Sequence, residues 1–246
     1  MPVSCFLLVN CFAPLEVQST INSELNVCRF CERSYMCTGG EDTILRIHEL
    51  STSDERPTLL PAIVARGHVS SIKSLAVVRR QEEVFLISGG GRAQLMAWQL
   101  RTVDGQVMCS RLADFMLRGS DRAVRKPWRK AQSVVRHDPE TRFITLDTCQ
   151  VDGTTLVLVG SSDSILRVFE FTAKHTLELI DELDFQLNCI LQVKVFELGG
   201  VPHLACGTTG GRISVWNLQK MKNLTEFSIH QVRLNSSGKI FLKNTN

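Results

Sequence analysis

Residues 160–169 read GSSDSILRVF, and the stretch returns three more times: GGEDTILRIH at 39–48, GGGRAQLMAW at 89–98 and GTTGGRISVW at 207–216. Every copy opens on glycine (Gly39, Gly89, Gly160, Gly207) and carries Leu or Ile at its seventh place (Leu45, Leu95, Leu166, Ile213). Three close on an aromatic ring, Trp98, Phe169 and Trp216, and the first closes on His48. The starts lie 50, 71 and 47 residues apart. Self-similarity at about 40–50 residues is the mark of a solenoid or a propeller.

Each copy reads as a hairpin. A short apolar run precedes the glycine: YMCT, VFLIS, TLVLV or HLAC. A polar tight turn follows it, then a second apolar run such as ILRVFEF or RISVWNL. The runs have strand length and are too short for helices. Gly and Asp at the centre are read as the residues that adopt turn or left-handed backbone angles. The apolar runs do not alternate cleanly with polar residues, which predicts sheets covered on both faces, as in stacked propeller blades. The fold class expected is therefore all-β, with about four blades.

Working outward, residues 1–24 form an irregular N-terminal segment and residues 25–232 the four blades. In blade order the outer strands fall at 59–65, 107–117, 176–185 and 224–229. Asp104-Gly105, Asp152-Gly153 and Gly199-Gly200 mark further turns. His230-Gln231 stands where a fifth unit would begin, but no hairpin follows, and 233–246 reads as a disordered tail. Four units in an open arc predict a partial propeller from a larger protein, with blade faces and strand edges left to be covered.

Residues 118–136, RGSDRAVRKPWRKAQSVVR, break the repeat and account for the long spacing. They hold seven Arg or Lys and one acid, a net +6 in a chain of net +3, so the remainder is near −3. Arg122, Arg125, Lys126, Arg129 and Lys130 suit phosphate contacts driven by counterion release, and Trp128 suits stacking on an unpaired base. The same residues also suit an acidic protein partner or a solvated rim loop.

The 246 residues are 43% hydrophobic and 22% charged, the composition of a soluble globular protein. No apolar run is long enough to span a membrane. Nine scattered cysteines, an odd number, point to free thiols in a reducing compartment, hence the cytoplasm. Cys28 and Cys31 form a C-x-x-C without the second pair a structural zinc site needs, so no metal is expected. No nucleophile elbow, phosphate loop or H-E-x-x-H is present. Gly89-Gly90-Gly91 is a hairpin turn with no helix behind it. Catalytic residues, cofactors and a small-molecule substrate are accordingly not expected.

The repeat resembles the WD-repeat family. A WD unit joins a His from a Gly-His pair, a Ser or Thr on the second strand, an Asp in the turn and a Trp on the third strand. Gly67-His68, Ser88 and Trp98 match three of these in the second unit, with Arg92 in place of the Asp. The first unit matches at Thr38 and Asp42, the third at Asp163, and the fourth at Trp216. RGHVSSIKSLAVV (66–78), LISGGGRAQLMAW (86–98) and HDPETRFITL (137–146) leading into DGTTLVLVGSSDSILRVF are similar to the C-terminal part of one group within that family. Its members partner the tRNA wobble-nucleotide 2′-O-ribose methyltransferase. The resemblance implies a non-catalytic subunit that positions tRNA for a methyltransferase carrying the chemistry. A general protein-interaction scaffold without RNA is the rival expectation.

Overall fold

The computed structural model describes residues 24–30, 33–51, 58–61, 63–117, 140–185 and 188–228. These fold into four antiparallel sheets in chain order. The first holds β1 (Glu24–Phe30), β2 (Arg33–Gly39) and β3 (Ile44–Ser51). Its outer edge is split into β4 (Thr58–Leu59) and β5 (Ile63–Arg66), both pairing with β3, where a single outer strand was expected. The second holds β6 (Ile72–Arg80), β7 (Glu83–Gly90), β8 (Gln94–Val103) and β9 (Gln106–Met116). The third holds β10 (Phe143–Val151), β11 (Thr154–Ser161), β12 (Ile165–Phe171) and β13 (Leu177–Asp184). The fourth holds β14 (Ile190–Leu198), β15 (Val201–Thr208), β16 (Arg212–Asn217) and β17 (Lys222–Ser228). Four up-and-down sheets of this kind are the blades of a partial β-propeller.

Turn chemistry sets the strand order. Asp104-Gly105 and Asp152-Gly153 have positive φ at both residues, the two-residue hairpin turn whose twist matches the strands. Gly199-Gly200 does the same in the fourth blade. In the hairpins of blades one and three, Asp42 Oδ1 accepts from Ile44 N and Asp163 Oδ1 from Ile165 N, each at 3.3 Å. The left-handed residues there are Thr43 (φ 66°) and Ser164 (φ 70°).

The repeat glycines do something other than turn. Gly39, Gly89 and Gly160 sit within or at the end of strands, and a Cβ on each would collide with the next blade. It would meet Ile72 Cγ2 at 2.6 Å, Leu146 Cδ2 at 2.9 Å and Ile190 Cγ2 at 2.5 Å respectively. The expectation that these glycines supply left-handed angles is therefore corrected: they are notches for the following blade.

Three apolar clusters coincide with the three seams. One joins Tyr35, Leu45 and Ile47 of blade one to Ile72, Leu86 and Trp98 of blade two. The next joins Phe85, Ile87 and Leu95 to Phe143, Val157 and Phe169. The last joins Leu158, Leu166 and Val168 to Ile190, Val193 and Leu204. Each fully buried side chain of this size contributes about 1.5–3 kcal/mol. Polar bonds reinforce the seams: Leu146 N donates to Ser74 Oγ at 2.8 Å, and Val193 N to Thr145 Oγ1 at 3.2 Å. Arg80 clamps blade two to blade three. Its Nη1 donates to Thr172 O at 2.7 Å, its Nη2 to Phe171 O, and its guanidinium lies 4.4 Å from the Phe171 ring centre.

Candidate functional site

The repeat positions build two different polar sets at the same place in the blade. In blade two, β7 presents Ser88 and β8 presents Trp98, while the link before β6 presents His68. Trp98 Nε1 donates to Ser88 Oγ at 2.7 Å, and His68 Nε2 shares a hydrogen bond with the same oxygen at 2.6 Å. All three are buried. Arg92, in the place of the WD aspartate, lies in the turn at φ 56° and is exposed. With no carboxylate there, His68 Nδ1 is buried without a hydrogen-bond partner. Burial pushes the imidazole down to about 4, against the weaker opposing pull of Asp114 and Gln94. His68 is therefore neutral near pH 7.

In blade three the aspartate is kept, as Asp163. Arg167 on β12 is 3% exposed and takes over the polar work. Its Nη1 donates to Ser161 Oγ at 2.8 Å and to Asp163 Oδ1 at 3.0 Å, its Nη2 to Asp163 Oδ2 at 2.6 Å, and its Nε to Glu182 at 3.0 Å. Blade one repeats the pair in milder form. Arg46 lies 2.6 Å from Asp42, with about a third of its side chain exposed. Strand registers place Arg46, Met96 and Arg167 at equivalent points, so Met96 fills in blade two the space an arginine occupies in its neighbours. In blade four Trp216 Nε1 donates to Ser214 Oγ at 3.1 Å, and its ring tilts against Phe185.

None of these sets has the layout of a catalytic centre. A groove between β10 and β14 is lined by Asp147, Cys149, Lys194 and Phe196, with Lys194 Nζ 2.8 Å from Asp147. Burial, aided by Asp147, pushes the Cys149 thiol up to about 12, so it stays protonated rather than nucleophilic. Burial also holds Cys109 and Cys206 near 12. Cys31 of the C-x-x-C lies outside the described residues, and among those described no group of three or more His, Cys, Asp or Glu is placed to hold a metal.

Arg122, Arg125, Lys126, Trp128, Arg129 and Lys130 also lie outside the described residues. Their two anchor points do not. Leu117, buried at the end of β9, donates its N–H to Ala93 O at 3.1 Å, beside the 91–93 turn. Arg142 N donates to Ser162 Oγ at 2.9 Å, beside the equivalent turn of blade three. The chain therefore leaves and re-enters the blades on one rim, the rim of the β2–β3, β7–β8 and β11–β12 turns.

No family model matches the chain. Curated relatives do. It is 26% identical over 208 residues to the tRNA (34-2′-O)-methyltransferase regulator WDR6 of Pongo abelii, which covers 75% of this chain. The mouse (Mus musculus) protein of that name gives 26% over 208 residues and the human one 26% over 207. The chain resembles a WD-repeat methyltransferase regulator. It spans about a fifth of the length of those relatives, 18% in each case. Those relatives are named as regulators of a methyltransferase.

Proposed function

We infer that this chain is a non-catalytic part of a tRNA-modification complex, which presents the anticodon wobble ribose to a partner 2′-O-methyltransferase. One observation carries the reading: a chain similar over three quarters of its length to tRNA methyltransferase regulators holds a +6 segment, residues 118–136, whose described flanking residues Leu117 and Arg142 lie beside hairpin turns of successive blades. Positioning of this kind is a real contribution to rate, because it replaces a two-body search with an oriented complex. The blades supply rigidity, and the 118–136 segment supplies cations and one ring for the RNA backbone and an unstacked base. The site of action is the cytoplasm.

Wobble-ribose methylation by the partner enzyme, measured with and without this chain across a range of tRNA concentrations, tests the reading. The expected result is a lower KM for tRNA with the chain present, lost when Arg122, Arg125, Lys126, Arg129 and Lys130 are changed to Glu. Equal kinetics with native chain, variant and no chain would leave the scaffold reading, in which the rims bind protein only.

A further inference from the structure

The rim that carries the β2–β3, β7–β8, β11–β12 and β15–β16 turns presents one exposed arginine from each blade. Arg66 ends β5 and pairs with Ile44, the first residue of β3. Arg92 lies within the β7–β8 turn. Arg142 is held beside the β11–β12 turn, its N–H donating to Ser162 Oγ at 2.9 Å and its carbonyl accepting from Ser162 N at 3.0 Å. Arg212 opens β16 directly after its turn. All four are exposed, and among the described residues none is ion-paired. The carboxylates of the same rim are engaged. Glu41 pairs with Lys73, Asp42 with Arg46, and Asp163 with Arg167. Asp114 lies 3.7 Å from Arg111, and Glu140 and Asp184 also have partners. The charged side chains left without a partner here are therefore all arginines. The opposite rim differs: its exposed cations Arg101, Lys174, Lys220 and Lys222 stand among the exposed, unpaired carboxylates Glu82, Asp104, Asp152 and Glu197, so the charges there offset one another.

Arg92 carries a second sign. It holds left-handed backbone angles (φ 56°), which a residue with a Cβ adopts at a cost. Two hydroxyls border it. Gly91 N donates to Ser71 O at 3.0 Å, and a Cβ on Gly91 would lie 2.3 Å from Ser70 Oγ. The 70–71 link is thus pressed against the turn, and neither serine hydroxyl has a hydrogen-bond partner among the described residues. A set of donors with no free acceptor among them suits an anionic chain. A phosphodiester backbone offers paired oxygens at every repeat, and the guanidinium fork matches them in a way that an ammonium does not.

We propose that this rim is a phosphate-contacting surface, on which Arg66, Arg92, Arg142 and Arg212 hold an RNA backbone and Ser70 and Ser71 donate to it beside Arg92. Resting on the tRNA reading above, this surface adds the blades themselves to the contact. The RNA then lies along several blades instead of meeting the 118–136 segment alone.

Arginine modification by phenylglyoxal, read by mass spectrometry of the full chain with and without a tRNA transcript, tests this surface. The expected result is protection of Arg66, Arg92, Arg142 and Arg212 by at least about fivefold, with Arg101 on the opposite rim modified equally in both samples. Neutralising the rim with Arg66→Gln, Arg92→Gln, Arg142→Gln and Arg212→Gln is expected to weaken tRNA binding at a fixed low salt by at least about tenfold. The same number of changes on the opposite rim, Arg101→Gln, Lys174→Gln, Lys220→Gln and Lys222→Gln, should leave binding within about twofold. The footprint uses the native chain, so it decides alone where a variant fails to fold. A tRNA that binds but protects only arginines of 118–136 would overturn the rim surface and leave the tRNA reading intact. Absence of both binding and protection would overturn both. Equal protection by poly-glutamate at matched charge would assign the rim to an acidic protein and overturn the RNA contact.

Discussion

Blades two and three solve one problem in opposite ways. Each must satisfy polar groups beside the β7–β8 or β11–β12 turn while a neighbouring blade presses on the sheet. Blade two does it with neutral groups, Trp98, Ser88 and His68, and accepts one unpartnered nitrogen. Blade three does it with an ionic set in which Arg167 serves Ser161, Asp163 and Glu182 together. The turn aspartate and its partner change together. Where Asp163 is kept, an arginine answers it; where Arg92 replaces the aspartate, Met96 occupies the arginine's place. Such a repeat is conserved in shape through compensating pairs rather than through fixed residues.

The comparison is broken most severely by Arg167→Met, which gives blade three the residue of blade two without the rest of its set. Asp163 and Ser161 lose their buried donor, and a destabilisation of about 3–5 kcal/mol is expected in urea unfolding. Adding Asp163→Ala should recover a good part of that loss, because a removed pair costs less than a stranded charge. Failure of the second change to recover stability would mean that the arginine acts by packing alone.

Ser88→Ala strikes the neutral set. It strands Trp98 Nε1 and His68 Nε2 in a buried site, so a loss of about 1–3 kcal/mol is expected.

His68 sharpens the contrast through pH. Its folded value of about 4 lies below the ordinary 6.5, so the unfolded chain takes the proton first as pH falls. The contribution is complete above about pH 7 and declines toward pH 4. At 1.36 kcal/mol per unit, roughly 2 kcal/mol is lost between pH 7.5 and pH 5. His68→Gln should flatten that part of the stability profile; an unchanged slope would show that other groups set it.

The smallest effect belongs to blade one. Arg46→Met removes the same ion pair as Arg167→Met, but with the arginine partly exposed the expected cost is below about 1 kcal/mol. A loss as large as that of Arg167→Met would remove burial as the reason for the difference between the blades.

Much of this architecture is legible in the residues. Asp-Gly pairs announce their turns because few residues tolerate those angles, and the spacing of GSSDSILRVF and its copies counts the blades. The role of Gly160 is not legible locally. The atom it makes room for belongs to Ile190, thirty residues away and in another sheet. Arg167 sits inside an apolar run, and the signal that could have marked it was the repeated spacing of DTILR and DSILR, which sets an arginine four residues after each turn aspartate. The charge of 118–136 is plain in sequence, but those residues lie outside the described ones, and only the flanking Leu117 and Arg142 are seen beside hairpin turns.

The most direct measurement is tRNA binding by fluorescence anisotropy across a salt series, comparing the native chain with the five-fold Glu variant at Arg122, Arg125, Lys126, Arg129 and Lys130. Release of about five counterions predicts roughly a hundredfold loss of affinity between 50 and 200 mM salt for the native chain. The variant should show neither tight binding nor the steep slope. Equal, weak and salt-insensitive binding by both would contradict the tRNA-positioning account and leave a protein-binding scaffold.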